Sequence, residues 1–429
     1  MSARTLALDL LLRCEAAGQY ANLALDHALR RESGITGADK ALCTALFYAT
    51  IEHKITLDYI IDGASSIPPS AIEKRVRMIL RMGLCQLLYF DRVPDHAAIN
   101  ETVDMTPKRS KGFVNAILRG FCRQNKEIVY PSATEEPIRY LSVRYSVPEE
   151  LAKAFVSGYG LARAERILNA FDHVPALTVR VNTLRHRRED FIQRFGGEPT
   201  KIAPNGVRFA DMSGIADAIA TGECFVQDEA SQICVAALDA APGERVLDLC
   251  AAPGSKSFGA ALMMRNAGVV RSYDLHENKI SLIRRGAESL GLTNLTAAAG
   301  DARKATPETV GLFDRVLCDV PCSGYGVLAK KPDIRYKEFS LAAGLLPIQA
   351  AILEAAAACV QPGGVLVYST CTLLPAENEE QITAFLKRHA DFSLLPFSVG
   401  ELCSDGMLTL TPDVHGTDGF FVAKLCKKR

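Results

Sequence analysis

Between Leu6 and Phe121 apolar residues recur every three or four positions, in runs at Leu6 to Leu12, Ala41 to Ile51, Ile72 to Phe90, Ala97 to Val103 and Phe113 to Phe121. That period turns one face of each helix inward and predicts an all-helical domain over residues 1–130. From 131 to 147 the period fades, and Pro131, Ser132, Thr134 and Pro137 punctuate the chain as a linker would. Residues 148–240 combine a helical stretch at 149–171 with strand-like TVRVNTL (178–184) and GVRFA (206–210), a small α+β segment. Over 241–429 the runs ERVLDLC, GVVRSYD, NLTAAAGD, FDRVLCDV and GVLVYSTC alternate with helical patterns at 276–291, 345–360 and 376–389. Strands alternating with helices at this spacing predict a doubly wound, mainly parallel α/β sheet.

Composition fits a globular chain: 48% hydrophobic and 23% charged residues over 429 positions, too long for a single small binding module. Lys and Arg number 49 and Asp and Glu 49, so no global charge calls for a polyanionic partner. By region the balance is +3 over 1–130 (17 basic, 14 acidic), −3 over 131–240 (12 and 15) and zero over 241–429 (20 and 20). Asp9, Arg13 and Glu15 break the first apolar run, so it forms no signal-peptide core. No uninterrupted apolar stretch approaches the roughly 18–20 residues that span a bilayer, and the chain is expected to be cytoplasmic, away from membranes. Thirteen cysteines, without a C-x-x-C pair or a Cys/His cluster, predict reduced thiols, not a disulfide framework or a metal site.

In an open α/β sheet the ligand lies at the carboxyl ends of the strands. The first run continues into DLCAAPGSKS, where Asp248 ends the strand, Pro253 and Gly254 turn the chain and Ser255 opens a helix. Small residues there let a ligand approach the backbone N–H groups, but the spacing fits neither a Walker A nor a G-x-G-x-x-G loop. Asp274, Asp301 and Asp319 end the next three runs, and an acid after the second strand suits ribose hydroxyls. Cys322 in DVPCSGYG and Cys371 in YSTCTLLPAENEE stand just past the fourth and fifth runs. A thiol between a strand end and a helix start lies in a field that favours thiolate, whereas Cys318, inside its run, reads as packing.

DLCAAPGSKS, DVPCSGYGVLAKKPDIRY and VYSTCTLLPAENEEQ resemble the motifs of S-adenosylmethionine-dependent RNA 5-methylcytosine methyltransferases, where a Pro-Cys and a Thr-Cys pair recur. TVRVNTLR (178–185), QDEASQ (227–232) and DGFFVAKL (418–425) extend the likeness, and HAAINETVD (96–104) with FVNAILR (113–119) resembles the NusB domain. Together they resemble the bacterial small-subunit (16S) ribosomal RNA methyltransferases of the Fmu, Sun or RsmB family. The resemblance implies a NusB-like RNA-binding domain at 1–130, a small α+β RNA-recognition segment at 148–240 and a Rossmann-like catalytic domain at 241–429. It places S-adenosylmethionine over Cys250, Ala251, Ala252, Pro253, Gly254, Ser255 and Lys256, its ribose on Asp274 and its adenine near Asp301. Asp319 then stands between donor and target base. The resemblance also makes Cys371 the nucleophile that adds to cytosine carbon 6, with Cys322 assisting release. Spacing alone leaves those two roles open, and in DNA 5-methylcytosine enzymes the Pro-Cys thiol attacks. Ser255 stands where the family usually has glycine, and Tyr325 where a small polar residue is more common.

RNA contact is expected from Lys108, Arg109, Lys111 and Arg119, in a segment without an acid, and from Arg185, Arg187 and Arg188. Lys330, Lys331 and Arg335 follow the Pro-Cys motif and are expected to hold phosphates beside the cleft. A target base has to be unstacked to meet a thiol, so the expected substrate is 16S ribosomal RNA, naked or partly assembled, met by a monomer. The competing readings are an inactive RNA-binding or antitermination-type scaffold, and a methyltransferase of another RNA. The scaffold predicts loss of Asp319, Cys322 or Cys371, and all three are present.

Overall fold

The computed structural model describes residues 2–17, 21–31, 34, 36–173 and 176–429. Two compact units emerge, Met1–Asp172 with Lys330–Lys337, and His173–Ala329 with Glu338–Arg429.

In the first unit, helices α1 (Ala3–Ala17), α2 (Ala21–Arg31), α3 (Gly37–Glu52), α4 (Lys54–Ala64), α5 (Lys74–Tyr89), α6 (Asp95–Asp104) and α7 (Lys111–Arg123) share one apolar core. On α7 the buried positions are Val114, Ile117, Leu118 and Phe121, the three-to-four spacing that the sequence displays. The predicted linker is instead partly helical. Residues Pro137–Tyr145 form α8, with Pro137 in the first turn, where its missing N–H has no helical partner to lose. Leu141 and Val143 are buried there, and Thr56 of α4 donates to the Val143 carbonyl at 2.6 Å. Two further helices, α9 (Glu149–Tyr159) and α10 (Leu161–Ala170), fall within this unit.

The second unit opens with a four-stranded antiparallel sheet, β1 (Leu177–Val181), β2 (Glu198–Pro199), β3 (Gly206–Phe209) and β4 (Cys224–Val226), in the order β2-β3-β1-β4. Helices α11 (Arg188–Phe195) and α12 (Ala216–Ala220) accompany it, and α13 (Glu229–Leu238) leads to the main sheet. There β5 (Arg245–Asp248), α14 (Ser255–Met263), β6 (Val269–Asp274), α15 (Glu277–Ser289), β7 (Leu295–Ala299), α16 (Pro307–Val310), β8 (Phe313–Asp319), α17 (Ser340–Ala358), β9 (Val360–Thr370) and α18 (Glu379–Arg388) alternate as predicted. Strands β7, β6, β5, β8 and β9 lie side by side in parallel. After β10 (Phe392–Leu394), β11 (Phe397–Val399), β12 (Leu402–Ser404), β13 (Met407–Leu410) and α19 (Pro412–His415), the last strand β14 (Phe420–Lys427) runs antiparallel beside β9. The chain builds outward from β5 to β7 and then crosses to β8 on the other side, so the strand order reverses at β5/β8 and leaves its crevice at their carboxyl ends.

Helix α17 is long and apolar enough to cross a bilayer by length and composition, although Pro347, Gln349 and Glu354 interrupt its apolar run. Ile352, Leu353, Ala356 and Ala357 account for much of that apolarity: they are buried in the core against the sheet.

Candidate active site

The loop after β5 is sewn to the neighbouring strand ends. Asp248 is fully buried, accepts from the Ser257 hydroxyl at 2.6 Å and from the Cys250 N–H at 3.3 Å, and Ser272 donates to Ser257 at 2.8 Å. Burial pushes the Asp248 carboxyl up to about 7. Ala251 donates to the Tyr273 carbonyl at 2.8 Å, and Asp274 accepts from the N–H groups of Ala252 at 3.2 Å and His276 at 3.1 Å. Gly254 turns the chain into α14 at φ +114°, where a side chain would also run into the Phe258 ring. Cys250 is held as a thiol by burial and by the charge of Asp248. Asp301 caps the short turn Ala302–Lys304 and takes two further bonds from the Arg303 guanidinium at 2.9 and 2.7 Å, which hold its carboxyl below the usual range.

On the other side of β5 the two thiols converge. Cys322 and Cys371 stand sulfur to sulfur at 3.3 Å, although 49 residues separate them. Backbone contacts fix that approach, because Gly326 donates to the Cys371 carbonyl at 2.9 Å and Gly419 to the Gly326 carbonyl at 2.8 Å. Asp319, at the end of β8, accepts from Lys256 Nζ and Ser369 Oγ at 2.6 and 2.7 Å. Burial works against the Lys256 ammonium, but the Asp319 carboxylate, with Cys234 and Cys371 adding to it, more than offsets that and raises its pKa. The Cys322 thiol is pushed well above its ordinary value by its hydrogen bond with Cys371, by burial, and by the charges of Cys371, Glu377 and Asp319.

The structure therefore brings Lys256, Asp319, Cys322 and Cys371 together in unit two, with the Cys250–Lys256 loop, Asp274 and Asp301 along the adjoining strand ends. Sequence reasoning placed Lys256 with the donor loop and missed its pairing with Asp319. It also missed Ser369 and Glu377, although both lie in or beside the quoted Thr-Cys motif. Glu377 accepts from the Ser323 N–H at 2.9 Å and from Gln349 Nε2 at 2.7 Å. Tyr325 is buried and stacks on Phe339, with ring centroids 6.0 Å apart.

The basic residues divide. Lys108, Arg187, Lys330 and Lys331 are exposed. Arg109 and Lys111 are exposed or partly so but meet acids from other segments, Glu73 at 2.7 Å and Asp104 at 3.2 Å, and Arg119 donates to Asn115. Arg185 donates to the carbonyls of Thr221 and Ser289, and Arg188 is half-buried beside Glu189. Arg335 corrects the sequence reading. Its side chain is 1% exposed, donates to the Tyr145 carbonyl at 2.9 Å and pairs with Glu52 at 3.4 Å, which leaves no face for a phosphate. Its neighbour Tyr336 donates to the Glu52 carbonyl at 3.0 Å. These residues tie 330–337 into the helical unit.

Comparison with known proteins covers both units. A family model described as 16S rRNA methyltransferase RsmB/F matches residues 235–426, the NusB family matches 1–123, and the ferredoxin-like domain of RsmF/B-like methyltransferases matches 147–213. The probable ribosomal RNA small subunit methyltransferase B of Bacillus subtilis (strain 168) is 38% identical, with 100% of this chain and 99% of that protein aligned. Among solved structures, the protein PH0851 superposes with a TM-score of 0.78 at 26% identity, over 98% of this chain and 97% of its own. A methyltransferase homolog protein from Pyrococcus horikoshii gives a TM-score of 0.59 at 29% identity, over 68% of this chain and 99% of its own.

Proposed function

The chain belongs to the RsmB/F family of 16S rRNA methyltransferases, and from that premise we propose that it methylates carbon 5 of a cytosine in 16S ribosomal RNA, with S-adenosylmethionine as donor and Cys371 as covalent nucleophile. The observation that carries this reading is the meeting of Cys322 and Cys371 at 3.3 Å in unit two, which also holds the Lys256–Asp319 pair.

The residues present fit the donor. Asp274 offers a carboxylate at a strand end for ribose hydroxyls, and the Cys250–Lys256 loop beside it turns at Gly254, which brings no side chain. Asp301 would meet the adenine from the next strand end. When bound, S-adenosylmethionine supplies an electrophilic methyl group. Cytosine carbon 5 is too weak a nucleophile to take it unaided, and this chain's own groups answer that. The Lys256 ammonium lies near Cys371, and a neighbouring cation favours thiolate. The Cys371 thiolate adds to carbon 6, which makes carbon 5 enamine-like. Asp319, fixed by Lys256 and Ser369, hydrogen-bonds the ring edge and stabilises the adduct. Loss of the carbon 5 proton then expels Cys371, and Cys322, in contact with that sulfur, assists the release.

On this reading the exposed Lys108, Arg187, Lys330 and Lys331, with Arg109, Lys111, Arg119, Arg185 and Arg188, supply the phosphate contacts. The enzyme works as a cytoplasmic monomer on a loop of naked or partly assembled 16S RNA. The test is transfer of labelled methyl groups from S-adenosylmethionine to unmodified small-subunit RNA, free and in subunits. Label at carbon 5 of a cytosine is expected; label in DNA but not in RNA overturns the reading.

A further inference from the structure

The loop that carries Cys322 hangs on one buried acid. Glu377 is 1% exposed, and its Oε2 accepts from the Ser323 N–H and from Gln349 Nε2, while Gln349 also donates to the Pro321 carbonyl at 3.0 Å. Pro321 and Ser323 flank Cys322, so Glu377 and Gln349 grip the loop on both sides of the thiol. Ser323 adds a hydroxyl contact to Thr372, next to Cys371, at 2.7 Å. Glu377 itself is held by its backbone, whose carbonyl accepts from Tyr368 at 2.7 Å, and its Oε1 is buried without a hydrogen-bond partner among the described residues. Glu377 is also among the groups whose charge pushes the Cys322 thiol up.

Around Cys322 stand Asp319 from β8, Glu377 from the turn before α18, and Cys371 and Tyr368 from the β9 end, while Tyr325 of the same loop faces Glu377. We propose that Glu377 is a positioning residue for the release step: it locks the Cys322 loop against Cys371 and keeps the Cys322 sulfur a hydrogen-bond donor to the departing thiolate. This rests on the covalent reading above. In the step itself the carbon 5–H bond breaks and its proton passes to water. The electron pair closes the double bond between carbons 5 and 6. The carbon 6–sulfur bond breaks with its pair on Cys371, which the Cys322 S–H then solvates. A thiolate at Cys322 would repel that developing charge instead.

Glu377→Gln keeps the shape and removes the charge, and Glu377→Asp keeps the charge and withdraws its reach. With S-adenosylmethionine and unmodified 16S RNA, both should leave the RNA KM near that of the parent, lower kcat about tenfold or more and accumulate covalent adduct on denaturing gels. In the free enzyme, iodoacetamide labelling of Cys322 followed by peptide mass spectrometry should begin at lower pH in Glu377→Gln and at the parental pH in Glu377→Asp. Should the Gln variant not fold, the adduct level of the Asp variant decides. Adducts at the parental level overturn the proposal, as does a loss of kcat with neither adduct nor a shift in labelling. Cys322→Ala run alongside separates the two claims: its failure to trap RNA sinks the covalent reading and the release role with it, whereas trapping by Cys322→Ala beside parental adduct levels in the Glu377 variants overturns the role of Glu377 alone.

Discussion

Lys256 spends its charge on Asp319, and at 2.6 Å with the lysine 11% exposed the pair is a partly buried one whose halves depend on each other. Lys256→Met leaves the Asp319 carboxylate uncompensated and should cost about 3 kcal/mol in stability, the low end for a broken interior pair because Asp319 keeps some solvent contact. Methyl transfer should fall further than that loss of folded protein explains, which urea titration beside a labelling assay measures. Asp248 makes a prediction of opposite character. Its folded pKa, about 7, lies above the ordinary carboxylate value, so the folded state holds the proton more tightly. Its contribution is complete at low pH and is lost as pH rises through the folded value. The thermal midpoint of the parent should therefore drop between about pH 5 and pH 8 more than that of Asp248→Asn, in which nothing titrates at this position. Equal slopes in the two proteins would show that Asp248 is already ionised across that range.

At the scale of elements, the site is made by strand ends, and these were legible because a buried parallel strand is a short apolar run with a defined stop. Asp248, Asp274 and Asp319 each close such a run, and Cys322 and Cys371 follow two of them, so the strand ends that the fold brings together were readable one by one. Contacts between distant segments were not legible. Arg335 sits in a run of charges and reads as solvated, yet its partner Glu52 lies 283 residues away. Glu377 reads as one acid among several, and only the fold brings it to Ser323, 54 residues off. The prolines around 131–148 mimic a linker because proline both opens helices and breaks them, and Pro137 does the former. Gly326 is equally silent in the sequence. A Cβ there would collide with the Gly419 carbonyl and lie 2.8 Å from the Cys371 carbonyl. Gly326→Ala should therefore separate the two thiol loops, cost about 3 kcal/mol or more by overpacking and abolish methyl transfer. An alanine enzyme with parental activity and melting would refute the backbone clamp.

Across the whole molecule, 49 basic residues balance 49 acidic ones, and the fold does not undo that balance, since Arg109, Lys111 and Lys126 find Glu73, Asp104 and Asp95. Such a surface should bind unrelated RNA weakly, and tight binding with a steep salt slope would contradict it. Selectivity then falls to a short set of exposed cations and to the chemistry in the cleft. That chemistry is the central claim, and one measurement reaches it most directly. Cys322→Ala and Cys371→Ala are each incubated with S-adenosylmethionine and unmodified 16S RNA, digested with nuclease and protease, and searched by mass spectrometry for a peptide bonded to a cytidine. Cys322→Ala should yield the peptide containing Cys371 carrying a methylated cytidine, and Cys371→Ala should yield none; a nucleotide bonded to Cys322 in the Cys371→Ala enzyme would contradict the account.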